Sequence, residues 1–414
     1  MASTPVSVIV VSRGRGESLG LTLVGLSRLI HDNYEIVIVA DTEGQAAVRR
    51  AGLAEQVKII PFADPNISEA RNRGIAAAAG EILAFIDDDA VPEPTWLRYL
   101  TEPFADPEVA ATGGFVIGRN GISFQWKASA VDYTGHSDPL PVDETRPTVL
   151  TPPAGRAIKT EGTNMAFRRS VLAGLGGFDP AYRFFLDETD LNMRLAKAGH
   201  ATAIAPLARV HHAFAPSPRR APSRAPRDLF EIGASLSVYL RRHCPDAERR
   251  TVVEAFTRAR HRSLIDHMVA GRLEPRDVLR LRRRLSDGLR VGKERPLGPL
   301  AAIGHAKTAF LPFTSLTRKP GIVLSGSFRS RRKLRRQAAE MAAKGCSVTL
   351  FLFSSTALYH RVRMRRDGVW EHRGGTWGRS DRAGKIVQLT TKRKRKRAEI
   401  GKIAAQRGID PQNS

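Results

Sequence analysis

Three adjacent carboxylates are the side chains best suited to chemistry. Asp87, Asp88 and Asp89 directly follow the apolar residues 82–86. A short apolar run of this kind predicts a strand that is buried on both faces of a parallel sheet. Open α/β sheets bind their ligands beyond the carboxyl ends of the strands. Because adjacent carboxylates repel one another unless a cation neutralises them, the triplet predicts a divalent-cation site, with an Asp-rich helix cap or turn as the alternative.

A second acidic group lies further along the chain. Asp187, Glu188 and Asp190 stand where a helical pattern continued by Leu191 and Leu195 begins. The helix dipole favours negative charge at this end, so a helix cap accounts for one of the acids. It does not account for all three, which leaves the others as candidates for catalysis.

Two imidazoles form the last chemical group. His211 and His212 end the stretch 203–212, which we predict to be a final edge strand. Either histidine taken alone is better explained as an ordinary surface residue. The acidic triplet elsewhere makes them candidate ligands.

Alternating strands and helices are expected to position these groups. Apolar runs at 6–11, 35–40 and 57–60 predict strands, and the second ends at Asp41. Asn66 and Ser68 can cap a helix that carries Arg71 in its first turns. This alternation predicts a doubly wound α/β sheet. The turn at residues 12–17 lacks the glycine spacing of dinucleotide and nucleoside triphosphate loops, which excludes the two commonest nucleotide-binding motifs.

The composition is that of a globular protein with an unusual charge. The 414 residues are 42% hydrophobic and carry a formal net charge of +25, which favours anionic partners such as nucleic acid, an acidic membrane surface or phosphorylated substrates. Cys244 and Cys346 cannot form a disulfide framework or a closely spaced zinc site, so a reducing compartment is favoured. No apolar run is long enough to span a membrane. We therefore expect a cytoplasmic protein that contacts the inner face of the membrane peripherally.

The chain divides by composition into four parts. We predict a first unit at 1–215, a Pro/Arg-rich linker at 216–226, a basic helical region at 227–300 and a small α/β unit with a polybasic tail at 321–414. The six consecutive cations at 392–397 predict an exposed helix or tail that seeks phosphates. Residues 118–159 have no period and predict an irregular loop.

The order of these motifs resembles an inverting family-2 glycosyltransferase of the GT-A fold. The likeness covers about residues 5–215 and rests on the strand followed by an acid, the arginine-bearing helix, the Asp triplet, Gly162-Thr163-Asn164, the acidic helix start and the late histidines. It implies a GT-A-like nucleotide-sugar-binding sheet flanked by helices. Residues 322–353 are faintly similar to the opening of GT-B glycosyltransferases, and we interpret them as a remnant or docking piece.

The resemblance also implies roles for individual residues. Asp89 and one of His211 and His212 would bind Mg²⁺ or Mn²⁺, while Gly162 and Asn164 would shape the sugar or acceptor pocket. The nucleotide would lie against Ser12, Arg13, Glu17, Asp41, Arg71, Asp87 and Asp88.

The catalytic base is left open by a change in the family's motif. The family usually has Glu-Asp here, with the Asp as base, whereas this chain has Asp187-Glu188. Glu188 therefore stands at the expected position of the base, Asp187 is its rival, and Asp190 would orient a neighbour or the acceptor.

The resulting hypothesis is a metal-dependent inverting transferase. It would move a sugar from a UDP-, GDP- or dTDP-sugar to a lipid-linked or polysaccharide acceptor in cell-surface glycan synthesis. A nucleotidyltransferase is disfavoured because residues 12–21 lack that class's loop pattern. The charge alone suggests a nucleic-acid-binding protein, but the sequence lacks interleaved aromatics and any zinc or helix-turn-helix pattern. The altered Asp187-Glu188 pair keeps a non-catalytic nucleotide-sugar binder as a further alternative.

Overall fold

The computed structural model describes residues 3–213, 215, 217–382 and 384–410. Up to residue 213 the elements are β1 (Val6–Ser12), α1 (Gly16–Leu26), β2 (Tyr34–Ala40), α2 (Thr42–Arg50), β3 (Lys58–Pro61), α3 (Ile67–Ala77), β4 (Ile82–Asp87), β5 (Ala90–Pro92), α4 (Trp96–Thr101), β6 (Val109–Ile117), β7 (Phe124–Trp126), β8 (Ser129–Asp132), β9 (Ser137–Pro139), β10 (Thr148–Leu150), β11 (Arg156–Lys159), β12 (Met165–Arg168), α5 (Arg169–Gly174), α6 (Asp187–Lys197) and β13 (Ala201–His212). The later elements are α7 (Phe230–His243), α8 (Asp246–Val269), α9 (Pro275–Glu294), β14 (Lys319–Ser327), α10 (Arg331–Ala343), β15 (Cys346–Ser354), β16 (Arg361–Met364), β17 (Val369–Gly375) and α11 (Lys392–Arg407).

A central sheet organises residues 3–213, which we call the N-terminal unit. Its strand order is β10-β13-β6-β12-β4-β1-β2-β3, with β5 added on β13 and β7 on β6. Strands β3, β2, β1 and β4 run parallel, which confirms the predicted doubly wound half. Strand β12 runs antiparallel to both β4 and β6, so the sheet as a whole is mixed. The predicted α/β class, with a central sheet flanked by helices, is confirmed.

Buried side chains cover both faces of this sheet. One core contains Leu23 of α1 and Trp96 of α4, and the other contains Ile75 of α3 and Leu191 of α6. The strands alternate their side chains between these two cores, which is why their sequences are apolar throughout rather than at every second residue. Asp87 is partly exposed because it stands where β4 leaves the core.

Two sequence predictions about this sheet are wrong. Strand β13 is not an edge strand, because it lies between β10 and β6 and also pairs with β5. Residues 118–159 are not irregular throughout, since they contain five short strands, three of which form a separate sheet in the order β11-β8-β9. These strands are only three or four residues long, too short to show a period in the sequence.

The basic helical region is built on close contact between α7 and α9. A Cβ atom on Gly288 would lie 1.9 Å from the Phe230 carbonyl oxygen, and one on Gly292 would lie 2.2 Å from that of Ala234. Glycine is therefore required where the two backbones meet. Leu281 and Leu285 of α9 are buried. The opposite face of α9 carries exposed arginines, as an amphipathic helix requires.

A four-stranded sheet forms the C-terminal unit, by which we mean residues 319–382 and 384–410. Its order is β14-β15-β17-β16, with only the β16–β17 pair antiparallel, and α10 and α11 pack on it. The run of cations forms the start of α11. Lys392, Arg393 and Lys394 are exposed as expected, but Arg395 is buried beside Glu399, since helical geometry turns one residue of each turn towards the sheet. No helix in the described ranges is long and apolar enough to cross a membrane.

The C-terminal unit packs directly on the N-terminal unit. Val362, Met364 and Trp370 form one buried cluster with Val91, and Leu21 of α1 packs against it. The division of the chain into four parts stays a prediction, but these two units share an apolar core.

Candidate active site

The turn after β4 brings the Asp triplet beside the end of β13. Strand β5 follows Asp89 at once and pairs antiparallel with β13, which sets Ala90 opposite His212. His212 Nε2 therefore lies 3.2 Å from Asp89 Oδ1. One potential ligand atom from each of Asp87, Asp89 and His212 lies within 4.8 Å of the others. Two carboxylates and one imidazole thus converge at the carboxyl edge of the sheet.

Arg15 neutralises the other side of the triplet. Its guanidinium lies 2.5 Å from Asp88 Oδ1 and 3.1 Å from Asp89 Oδ2. Burial raises the pKa of Asp88 to about 7 although Arg15 opposes the shift. Burial also acts to raise the pKa of Asp89, but His212 and Arg15 outweigh it, so this pKa lies well below its usual range. Asp89 is therefore ionised at neutral pH.

The two histidines have different surroundings. His211 Nε2 lies 2.8 Å from Glu93 Oε1, and its ring lies 4.6 Å from the ring of Trp370 in the C-terminal unit. Adjacent residues of a strand point to opposite faces, so His211 faces the C-terminal unit while His212 faces the Asp triplet. Of the two candidate ligands, the geometry brings His212 to the acids.

Arg71 connects the triplet to the second acidic group. This buried side chain forms an ion pair with Asp187, lies 3.6 Å from Asp87 and donates to the Gly162 carbonyl oxygen at 3.2 Å. A Cβ atom on Gly162 would lie 2.6 Å from Arg71 Nη2, so glycine leaves the room that the guanidinium occupies.

The start of α6 has an unusual backbone. Phe185 and Leu186 have φ angles of 74° and 65°, a left-handed conformation that costs free energy in residues other than glycine and is common at functional sites. Asp187 is buried, and burial raises its pKa to about 7 against the opposing charge of Arg71. Glu188 is partly exposed and accepts a hydrogen bond from Thr189 Oγ1 at 3.2 Å.

The side chains of Asp190 and Asn164 form hydrogen bonds within the protein core. Asp190 is fully buried and accepts from Tyr182, Arg194 and His243, which joins α6 to α7. Asn164 is also fully buried. Its amide donates to the carbonyl oxygens of residues 115 and 208 and accepts from the Trp96 indole. The polar atoms of these two side chains bond to the protein itself, which leaves little capacity for a ligand.

The remaining predicted nucleotide residues lie around the ends of β1 and β2. Ser12 is buried at the end of β1, and Arg13 donates to the Ala63 carbonyl oxygen at 2.7 Å. Asp41 caps α2 and also accepts from the Gly14 amide at 2.8 Å, so it holds the loop after β1. Glu17 instead pairs with Arg366 of the C-terminal unit at 2.5 Å.

An open cavity of about 660 Å³ lies beside Asp89. It is lined by α1 on one side and by Arg363, Met364 and Arg365 on the other, so both units contribute to it. Four residues that the sequence did not single out interact with predicted site residues: Arg15, Glu93, Lys159 and Glu161. Arg15 stands between two glycines, a signal that could have been used, and Lys159 pairs with Glu161 at 3.0 Å near Glu188.

The sequence is similar to known glycosyltransferases. A glucosyl-dolichyl phosphate glucuronosyltransferase of Haloferax volcanii is 29% identical over 191 residues, which cover 42% of this chain and 56% of the relative. A pre-mycofactocin glycosyltransferase of Mycobacterium tuberculosis is 29% identical over 147 residues, covering 34% of this chain and 29% of that protein. The chain thus spans little more than half of the first relative and less of the second.

Solved structures of glycosyltransferases are also similar in fold. A mannosyltransferase from Pyrobaculum calidifontis, solved with GDP-Man and Mn²⁺, has a TM-score of 0.41 and 16% identity, covering 71% of this chain and 90% of that one. GalNAc-T7, solved with UDP, GalNAc and Mn²⁺, has a TM-score of 0.40 and 18% identity, covering 50% of this chain and 44% of that one.

A family model settles the assignment. The model described as "Glycosyltransferase like family 2" matches residues 4–230, which are more than half of the chain and include all of the site residues predicted from the sequence. The chain belongs to this family.

Proposed function

We propose that this protein is a glycosyltransferase that moves a sugar from a nucleotide-sugar donor to an acceptor hydroxyl, with a divalent cation and with inversion at the anomeric carbon. The observation that carries the proposal is the convergence of Asp87, Asp89 and His212 within 4.8 Å at the carboxyl edge of the sheet. Nucleotide ligands of α/β sheets bind at this edge.

The donor set fits Mg²⁺ or Mn²⁺. Both cations accept carboxylate oxygens together with water and substrate phosphate oxygens, and Mn²⁺ also accepts imidazole. The lowered pKa of Asp89 keeps this carboxylate ionised at neutral pH, as a ligand to a cation requires. A bound cation would stabilise the negative charge that grows on the departing nucleoside diphosphate.

The nucleotide would lie over the ends of β1, β2 and β4. Ser12, Arg13 and Asp41 surround the first two strand ends, and Arg71 with Asp87 completes the border. Glu17 lies with Arg366 at the cavity between the units, so we assign it to that border rather than to the base and ribose. Asp88 holds Arg15 in place.

Glu188 is our choice for the catalytic base. An inverting displacement needs a base that takes the proton of the attacking acceptor hydroxyl. Asp187 forms a buried ion pair with Arg71, whereas Glu188 is partly exposed, accepts from its neighbour Thr189 and shares a side-chain hydrogen bond with Asp187. Asp187 would then position Arg71. Asp190 orients α6 through its buried bonds.

The acceptor is proposed to be lipid-linked. Support comes from the name of the Haloferax volcanii relative, which describes a dolichyl phosphate substrate, and from the exposed cations at the start of α11. Such an acceptor places the enzyme at the inner face of the membrane, in the synthesis of cell-surface glycans. A polysaccharide acceptor is the second candidate.

Turnover of a panel of UDP-, GDP- and dTDP-sugars with Mn²⁺ tests the function. We expect Glu188→Gln to bind the accepted nucleotide with Mn²⁺ as the wild type does and to lose transfer by about 10²–10⁴-fold, the usual contribution of a general base. Glu55→Gln, at an exposed site, is the matched control. Wild-type transfer by Glu188→Gln would refute this base, and binding without turnover of any donor would favour a non-catalytic binder.

A further inference from the structure

Five large apolar side chains are exposed on one part of the C-terminal unit. The exposed fractions are 59% for Leu358, 37% for Trp377, 72% for Ile386, 51% for Val387 and 94% for Leu389. Single exposed apolar residues are common on soluble proteins, but adjacent ones mark interaction surfaces.

Hydrogen bonds show that the five residues adjoin one another. The backbone N–H of Gln388 donates to the Trp377 carbonyl oxygen at 2.8 Å, and the Trp377 indole donates to the Thr390 carbonyl oxygen at 3.2 Å. Gly378 forms a bridge with Val387 and packs against the backbone of Leu358. Residues 358, 377, 386, 387 and 389 therefore form one surface, which we call the C-terminal apolar surface.

Exposed cations flank this surface along the chain. Residues 377–397 contain nine Lys and Arg residues and one acid. Lys385 precedes Ile386 directly, and α11 begins three residues after Leu389 with Lys392, Arg393 and Lys394, all exposed. The acid of the next turn, Glu399, is buried with Arg395 and does not offset the outer cations.

We propose that the C-terminal apolar surface docks on the anionic face of a lipid bilayer. Apolar side chains with a Trp among them enter the boundary between headgroups and acyl chains, and cations beside them attract anionic lipid by about 1 kcal/mol each. Lys and Arg can keep their charges among headgroups while their aliphatic stems lie on the apolar layer. A nucleic acid would match the cations but would leave the aliphatic side chains exposed.

The inference deepens the proposed function, because it rests on a lipid-linked acceptor and gives the side of the enzyme that faces the membrane. Its test measures binding alone, so it can fail or succeed independently of transferase activity. If the protein binds vesicles but turns over no donor, the proposed transferase function would be overturned and the membrane-docking proposal would be supported.

Co-sedimentation with vesicles is the experiment. We expect the full chain to bind phosphatidylcholine vesicles containing phosphatidylglycerol, to bind pure phosphatidylcholine far less, and to lose binding as salt rises. The double variant Ile386→Ser, Leu389→Ser should bind about tenfold or more weakly, because two large apolar side chains no longer leave water. Val269→Ser with Leu279→Ser is the matched control, since these residues are 79% and 56% exposed elsewhere.

Charge and fluorescence give independent readouts. The triple variant Lys392→Glu, Arg393→Glu, Lys394→Glu should lose the preference for anionic vesicles, whereas Arg282→Glu with Arg283→Glu on α9 should keep it. Trp377 emission should shift to the blue on anionic vesicles, and Trp377→Phe should remove that shift, because Trp96 and Trp370 are already buried and Trp126 packs against the core of the N-terminal unit.

Three results would overturn the proposal. The first is equal vesicle binding by the wild type and both surface variants. The second is no difference between anionic and neutral vesicles. The third is concentration-dependent self-association that the Ile386→Ser, Leu389→Ser variant abolishes while no form binds vesicles, which would assign the surface to a second copy of the chain.

Discussion

Arg407 at the end of α11 forms a buried ion pair with Glu93, although 314 residues separate them. Its Nε and Nη2 donate to the two Glu93 oxygens at 2.9 and 3.1 Å, and its Nη1 donates to His372 Nε2 at 2.7 Å. Glu93 also contacts His211, the neighbour of His212. Helix α11 is therefore connected through Glu93 and His211 to β13, the strand that carries the proposed metal ligand His212.

Removing this arginine should destabilise the protein strongly. Arg407→Met leaves the Glu93 carboxylate buried without its main counter-charge, and breaking one partner of a buried pair costs about 3–5 kcal/mol. Urea unfolding measures the loss. Arg397→Met on the exposed side of the same helix should change stability by about 0.5 kcal/mol or less. Equal effects of the two variants would show that the buried pair does not hold the units together.

The same pair predicts how stability depends on acid. Burial acts to raise the pKa of Glu93, but Arg407 and His211 outweigh it and hold the pKa at about 2, below the ordinary 4.5. As pH falls, Glu93 is therefore protonated in the unfolded chain before it is protonated in the folded protein. The contribution of Glu93 to the free energy of unfolding is fully present above about pH 4.5. It declines towards pH 2, by up to about 3 kcal/mol. Glu93→Gln should show a shallower decline in this window, and parallel curves for the two proteins would contradict the assignment.

Arg15 should oppose cation binding in the absence of nucleotide. Its guanidinium pairs with Asp88 and Asp89, so it occupies part of the negative field that a cation needs. We expect Arg15→Gln to bind Mn²⁺ several-fold more tightly than the wild type, as measured by titration calorimetry without nucleotide. Arg13→Gln is the control, because Arg13 bonds to a backbone oxygen rather than to the triplet. Weaker Mn²⁺ binding by Arg15→Gln would mean that Arg15 supports the site.

Gly162→Ala should impair catalysis more than folding. The added methyl would lie 2.6 Å from Arg71 Nη2 and would push the guanidinium away from its contacts with Asp87 and Asp187. We expect a loss of transfer activity of tenfold or more with a small change in melting temperature. Gly174→Ala, where nothing lies within 4 Å of the new Cβ, should leave activity unchanged. Full activity in Gly162→Ala would show that the position of Arg71 does not matter.

The strands of the central sheet that consist of one short apolar run could be predicted from the sequence. Continuous apolar runs identified β1, β2 and β4, of which the last two lead into Asp41 and Asp87 at one edge of the sheet. The Asp triplet and the histidine pair were likewise visible as residue types. Family resemblance supplied their proposed roles.

The rest depends on contacts between distant residues. Sequence could not separate His211 from His212, because the choice depends on the pairing of β5 with β13. Nor could it show that Asn164 bonds inside the core or that Glu17 meets Arg366, 349 residues away. The packing of the C-terminal unit on the N-terminal unit has the same origin, since nothing local to Glu93 indicates Arg407.

Nucleotide binding with and without Mn²⁺ tests the central claim most directly. Calorimetry with UDP, GDP and dTDP on the wild type, His212→Ala and His211→Ala separates the two histidines. We predict that Mn²⁺ strengthens binding of one nucleotide to the wild type and to His211→Ala, and that His212→Ala loses this gain by tenfold or more. A Mn²⁺ effect that survives in His212→Ala but disappears in His211→Ala, or no Mn²⁺ effect on any nucleotide, would contradict a cation site at Asp87, Asp89 and His212.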